Sequence, residues 1–339
     1  MRTWRIPSGC KSADQLELVE VPRPVPGPGE VLVRVRACSI NYRDQAIVRG
    51  RYLGGVVTVP AAPLSDGVGV VEAVGSQVSG IRAGDHVAGL FFQNWRGGLP
   101  SAGDGPALGA PPAPGMLSDY VALPERGVIK LARSLSLEEA ATLPCAGVTV
   151  WNALMKGIRP LTAGQTVLLI GSGGVSLIAL RIAKASGARV IATSSSEAKL
   201  ARLRELGADA TLNYRTESEW GVKAAQWAGT GVDHVVEVGG LGTLAQSIKA
   251  VGYGGEVALI GVLSMQGDAN PMALMHKGAS IRGIFVGSAE MALSLNEFVD
   301  AHEVKPVIDR VFKFEEARAA YAYQSSADLF GKVVISNQD

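Results

Sequence analysis

Residues Val167 to Ser176 read VLLIGSGGVS: a short apolar run that breaks into closely spaced glycines and then into a helical pattern. Val167, Leu168, Leu169 and Ile170 have the continuous apolar character of a buried parallel strand. Leu177, Leu180, Ile182 and Ala183 then recur at helical spacing. Gly171 permits the tight turn, Gly173 lets the backbone approach a ligand, and Gly174 and Val175 open a helix whose free N–H groups and dipole suit a dinucleotide's pyrophosphate. Ser176 stands where a third glycine is usual in G-x-G-x-x-G, so strand and helix must pack around one extra hydroxymethyl group.

The glycine motif alone is weak, and a plain strand-to-helix turn is its alternative. A second apolar run, Arg189 to Ala192, follows about 20 residues after the glycines, as a βαβ unit requires. It ends in Thr193, Ser194, Ser195 and Ser196. An acidic residue there would accept from the ribose 2′-hydroxyl of NADH. Small hydroxyls leave room for a 2′-phosphate and add no like charge, so the pocket predicts NADPH rather than NADH.

With 339 residues the chain can build about two full cores. Its 32 Lys+Arg against 31 Asp+Glu give no reason to expect nucleic acid or an anionic membrane as partner, which leaves a small molecule. No apolar run approaches the roughly 20 residues of a membrane helix, and MRTWRIPSGCKS lacks a signal peptide's apolar centre. Cys10, Cys38 and Cys145 are far apart and form no C-x-x-C pair. A cytoplasmic chain with cysteines as small core residues is expected.

Leu16 to Leu123 reads as β-rich, with alternation in Val31 to Ala37 and an apolar run in Val68 to Val74. The stretch 96–115, rich in Gly and Pro, reads as a long surface or active-site loop. After Gly164, strands at Thr166–Ile170, Arg189–Ala192, Ala210–Leu212, His234–Val238, Glu256–Ile260 and Ser280–Gly283 alternate with helices, among them Ala198–Leu206 closed by Gly207. A doubly wound parallel sheet is the economical α/β reading. The last 50 or so residues revert to mixed structure and are expected to return to the first domain.

The order and spacing of several passages resemble the medium-chain dehydrogenase/reductase superfamily nearly end to end. They are Val21 to Asp44, GVGVVEAVG from Gly67, GDHV from Gly84, LSDYVALPE from Leu117, AATLPCAGVTVWNAL from Ala140, the glycine turn, and GKVVI from Gly331. The resemblance implies a GroES-like β-barrel catalytic domain from residues 1–147 and 288–339, and a Rossmann NADP-binding domain from 148–287. It also implies a homodimer paired near Ser280 to Phe285. In zinc-containing relatives a catalytic zinc is held at positions matching Asn41, Ser65 and Cys145, of which one retains a ligand type. His86 matches a strand start, and the four cysteines of a structural zinc are missing, their place taken by the Gly/Pro-rich loop. The expectation is therefore a zinc-free enzyme similar to quinone oxidoreductases and enone reductases, of EC 1.6.5 or 1.3.1 type. The alternatives are an alcohol dehydrogenase or carbonyl reductase, and an NADPH-binding redox sensor without turnover.

Within NYRD, Asn41 is a candidate donor to the substrate oxygen or the nicotinamide ribose, and Tyr42 or Tyr52 a candidate acid; the plain alternatives are a turn cap and ordinary barrel tyrosines. Asp44 beside Arg43 reads equally as a structural ion pair. By resemblance, Lys199 and Tyr214 contact the 2′-phosphate with Ser194 and Ser195, and Thr149 flanks the nicotinamide. Gly239, Val262, Leu263, Phe285 and Val286 end later strands on the cofactor side. Lys332 is either a further cofactor cation or a lysine snorkelling at the surface. Phe91, Phe92, Trp95 and the loop after them would line a pocket for an apolar or aromatic substrate.

Overall fold

The computed structural model describes every residue except 54, 262 and 339. It divides into two compact units, Met1–Val148 with Gly287–Asp339, and Thr149–Val286.

The first unit is built on β3 (Glu30–Ile40), which follows the ribbon of β1 (Arg2–Arg5) and β2 (Glu17–Glu20). β3 is long enough to serve three partners. One edge pairs antiparallel with β4 (Asp66–Val74); the other is shared, with residues 30–34 on β6 (Tyr120–Pro124) and residues 37–40 on β15 (Lys332–Ser336). Register shifts near Val33 and Ala37 bend the strand so that both partners fit. β5 (His86–Gly89), β7 (Val128–Lys130) and β14 (Ile308–Lys313) complete the sheet in the order β14-β15-β3-β4-β5-β7. Val31, Val33, Val35, Leu64, Val71, Met116 and Leu123 form its core. This is the expected GroES-like domain.

Gly69 of β4 faces Val35, and a Cβ there would lie 2.0 Å from the Arg34 carbonyl oxygen. Backbone cannot yield as a side chain would, so Gly69→Ala is expected to cost about 3 kcal/mol, read as a lowered urea midpoint with an unchanged slope.

The stretch 96–115 is irregular and mostly exposed up to Pro106, as expected of a loop, but its second half reaches the core. Leu108 is fully buried in the barrel core, its N–H donating to Phe91 O, and Ala107 and Ala113 are buried beside it. One of two leucines among glycines and prolines, Leu108 has no periodicity to announce it. Phe91, Phe92 and Trp95 are also buried and pack edge to face, with ring centroids 4.8 and 5.9 Å apart. They belong to the packed interior of this unit.

The second unit holds six strands, all parallel, each near its expected place: β8 (Thr166–Leu169), β9 (Arg189–Ser194), β10 (Ala210–Asn213), β11 (Val232–Glu237), β12 (Val251–Leu259) and β13 (Ser280–Gly283). Their order, β10-β9-β8-β11-β12-β13, reverses direction between β8 and β11, where a doubly wound sheet opens a crevice at its carboxyl end. Among the described residues no helix is long and apolar enough to cross a membrane.

Candidate functional sites in the two units

The glycine turn follows β8 directly. Gly171 has φ +79°, a left-handed value that favours glycine, and its N–H donates 3.1 Å to Thr193 Oγ1 at the end of β9. Gly173 precedes the helix Gly174–Ala185, and a Cβ added to it would meet nothing within 4 Å. The space in front of the turn is thus clear of protein, as a phosphate cradle requires. Val175 lies in the helix's first turn, where N–H groups have no intrahelical acceptor. Ser176 replaces the third glycine without an orphaned hydroxyl, because its Oγ donates 2.8 Å to Ile170 O.

The expected 2′-phosphate residues converge at the end of β9. Asn213 pairs with Ser194 in the sheet, and Tyr214 N–H donates to Ser194 O. Ser194 is buried, its Oγ accepting from Ser196 N–H, while Ser195 and Lys199 are half-buried and Tyr214 is exposed. Glu197, the nearest carboxylate in sequence, accepts from Asn213 Nδ2.

At later strand ends the picture is mixed. Thr149 is buried, Leu263 and Phe285 are exposed, and Val262, expected on the cofactor side, lies outside the described residues. The Gly239 N–H is committed to Glu237 Oε1 at 2.7 Å. Glu237 itself was missed by sequence reasoning: fully buried, it also accepts from Gly240 N–H and the hydroxyls of Thr243 and Ser247. An acidic residue ending an apolar strand just before Gly-Gly was the available signal. Val286 has φ +54°, rare for a β-branched residue, at a cost of order 1–3 kcal/mol. It is pinned by Asn152 Nδ2 donating 2.7 Å to its carbonyl, and Asn152 Oδ1 in turn accepts from Arg282.

In the first unit, antiparallel pairing brings the end of β3, the start of β4 and the start of β15 to one end of the sheet. Asn41, Ser65, Asp66 and Lys332, remote in sequence, therefore meet there. Lys332 is 3 % exposed, which corrects the reading of a surface lysine: its Nζ donates 2.9 Å to Ile40 O and 2.6 Å to Asn41 Oδ1. Asp44 Oδ2 accepts from Asn41 N–H at 2.7 Å, and Asp44 Oδ1 lies 3.5 Å from the Arg43 guanidinium. Burial pushes the Asp44 carboxyl up to about 6 against the opposing pull of Arg43. Asp66, also buried, is raised by desolvation, while Lys332, Asn41, Ser65 and the Cys145 backbone hold its charge. Cys145 is partly exposed as a residue, yet desolvation and then Asp66 push its thiol upward.

Arg43 is enclosed by the Tyr52 and Phe91 rings, 4.9 and 4.6 Å from their centroids, and donates 2.8 Å to Leu108 O and 3.4 Å to Tyr52 Oη. Tyr42 is exposed and Tyr52 half-buried. Among buried polar atoms at or near this end, Ser39 Oγ and Arg43 Nη2 have no hydrogen-bond partner, and Asn41 Nδ2 and Asp66 Oδ2 have no well-formed one beyond the contact of their two side chains. Such concentration is unusual for a packed interior and marks a place for a polar ligand group.

Comparison with known proteins places both units. Residues 174–301 match the zinc-binding dehydrogenase model and residues 27–133 the alcohol dehydrogenase GroES-like domain model. A zinc-type alcohol dehydrogenase-like protein of Schizosaccharomyces pombe is 41% identical over 335 residues, 95% of each chain. The 2-methylene-furan-3-one reductase of Solanum lycopersicum is 31% identical over 310 residues, 90% of this chain and 71% of that one. A Sinorhizobium meliloti structure assigned as an alcohol dehydrogenase superposes with a TM-score of 0.90 at 41% identity, covering 99% of this chain and 100% of the other.

Proposed function

This chain belongs to the medium-chain dehydrogenase/reductase superfamily and is an NAD(P)-dependent oxidoreductase; from that premise we propose that it reduces a quinone or an α,β-unsaturated carbonyl with NADPH, without zinc. The observation that carries this reading is the Lys332 ammonium 2.6 Å from Asn41 Oδ1. A catalytic zinc needs three protein ligands and an open position. Here the matching positions offer an amide, a hydroxyl and a desolvated thiol, and a cation already donates to the amide oxygen and favours the charge of Asp66. Among the described residues no His/Cys/Asp/Glu group could hold a metal. This donor set does not fit zinc. Without a Lewis acid, an alkoxide depends on hydrogen bonds alone, whereas charge developed on a quinone or enone spreads over a conjugated system. The tomato reductase's name specifies a conjugated ketone of that kind.

The second unit fits NADPH through its clear glycine turn and the hydroxyl-lined end of β9. When bound, the cofactor supplies a hydride to the acceptor. Asn41, whose Nδ2 keeps one N–H beyond its contact with Asp66, donates it to the acceptor's oxygen as negative charge grows there. Tyr52 Oη accepts from Arg43 Nε, which leaves its own O–H to protonate the enolate or the hydroquinone monoanion that hydride addition forms; Tyr42 is the exposed alternative. Lys199 and Tyr214 recognise the 2′-phosphate with Ser194 and Ser195. The open sheet edge at β13 favours pairing of two copies.

Oxidation of NADPH and NADH is the test, with 1,4-benzoquinone, 9,10-phenanthrenequinone, an enone and a simple aldehyde as acceptors, each with and without chelator. Quinone or enone turnover that prefers NADPH, ignores chelator and accompanies substoichiometric zinc is the expected result. The S. pombe relative's name favours a second reading, alcohol dehydrogenase or carbonyl reductase. Aldehyde-only turnover abolished by chelator would establish that reading instead.

A further inference from the structure

Lys332 is a buried cation with no part yet in the reaction. It enters at the first residue of β15, and antiparallel pairing of Val333 with Ile40 sets its ammonium against the end of β3. An ammonium can only donate. Its 2.6 Å contact with Asn41 therefore requires the amide oxygen to face it, since the flipped amide would set two donors head to head and lose a charge-assisted hydrogen bond. Asp44 Oδ2 takes the Asn41 backbone N–H. The backbone N–H and Oδ1 are both committed. What remains is the buried Nδ2: one of its N–H groups serves Asp66, whose charge Asn41 helps to hold, and the second has no protein acceptor.

We propose that Lys332 is a positioning residue: it locks the Asn41 amide with the oxygen inward, so that Nδ2 presents an N–H to the carbonyl oxygen of the quinone or enone. The inference rests on the reading of Asn41 as that donor. It assigns Lys332 no contact with substrate or cofactor, and every kinetic effect of Lys332 must pass through Asn41.

The test is a double-mutant cycle on the full-length enzyme with NADPH and 9,10-phenanthrenequinone, comparing wild type, Lys332→Met, Asn41→Ala and the double variant. Lys332→Met is expected to lower kcat at least about tenfold, short of the 10²–10³ lost with the donor itself, while KM for NADPH stays within about twofold. In the Asn41→Ala background the same substitution should change kcat by less than about twofold. Multiplicative losses would overturn the inference, as would a raised KM for NADPH with kcat intact, which would mark a cofactor contact. If Lys332→Met does not fold, Lys332→Gln puts the same question, because an amide that both donates and accepts cannot dictate the orientation of Asn41; kcat retained in that variant would also overturn the inference. A wild type that reduces neither quinone nor enone would instead overturn the functional reading beneath it.

Discussion

Ser194→Asp should invert the cofactor preference, weakening NADPH and favouring NADH. Ser194 ends β9 beside Asn213 and Tyr214, and its Oγ accepts from Ser196 N–H, a bond that an aspartate oxygen can also accept. The variant should therefore fold. A carboxylate at this point repels a 2′-phosphate; at about 4 Å and an effective dielectric of about 20, one unit pair is worth about 4 kcal/mol before screening by salt and Lys199. A fall in kcat/KM for NADPH of about 10²-fold is expected, with a gain for NADH because the carboxylate accepts from the 2′-hydroxyl. Paired initial-rate measurements with the two cofactors check it. An unchanged preference would place the 2′ pocket elsewhere and remove the argument from the missing acidic residue.

How far these sites could be read from the chain follows from how local their signals are. The glycine turn and the six strands of the doubly wound sheet are contiguous patterns, and they stand close to where periodicity puts them. The largest boundary error is at β12, which starts at Val251 and not Glu256; Val232 pairs with Val251 while His234 pairs with Glu256, so the intervening Gly-Tyr-Gly-Gly is a bulge within the strand and not a turn before it. The barrel end is different. Asp66 and Lys332 meet Asn41 only because β4 and β15 both pair with β3, and nothing near either residue announces that pairing. A lysine in GKVVI reads either as a cofactor cation or as a surface group, because charge is ordinarily solvated or paired with a ligand, and neither reading places it in the barrel interior. Its burial becomes intelligible once Ile40 O and Asn41 Oδ1 stand opposite it. Leu108 was hidden for a related reason, since a single core contact within an irregular segment has no period.

The same geometry makes Asn41 the residue whose loss should slow turnover most. Asn41→Ala removes the proposed donor and leaves Lys332 with one acceptor fewer, so it should lower kcat by about 10²-fold and also cost about 1–3 kcal/mol of stability. Activity alone would confuse the two effects. Asn41→Asp separates them: its carboxylate still accepts from Lys332, and the backbone bond to Asp44 is unaffected, but the N–H donor is gone. The aspartate variant also sets a carboxylate beside buried Asp66, whose charge Asn41 helps to hold, so it is expected to melt below wild type through repulsion and not through loss of the Lys332 contact, and to lose kcat as fully as the alanine variant, with KM for NADPH little changed. If it kept wild-type turnover, Asn41 would be a structural partner of Lys332, and stabilisation of the acceptor oxygen would have to come from another unpaired donor at this end, of which Arg43 Nη2 is the charged one.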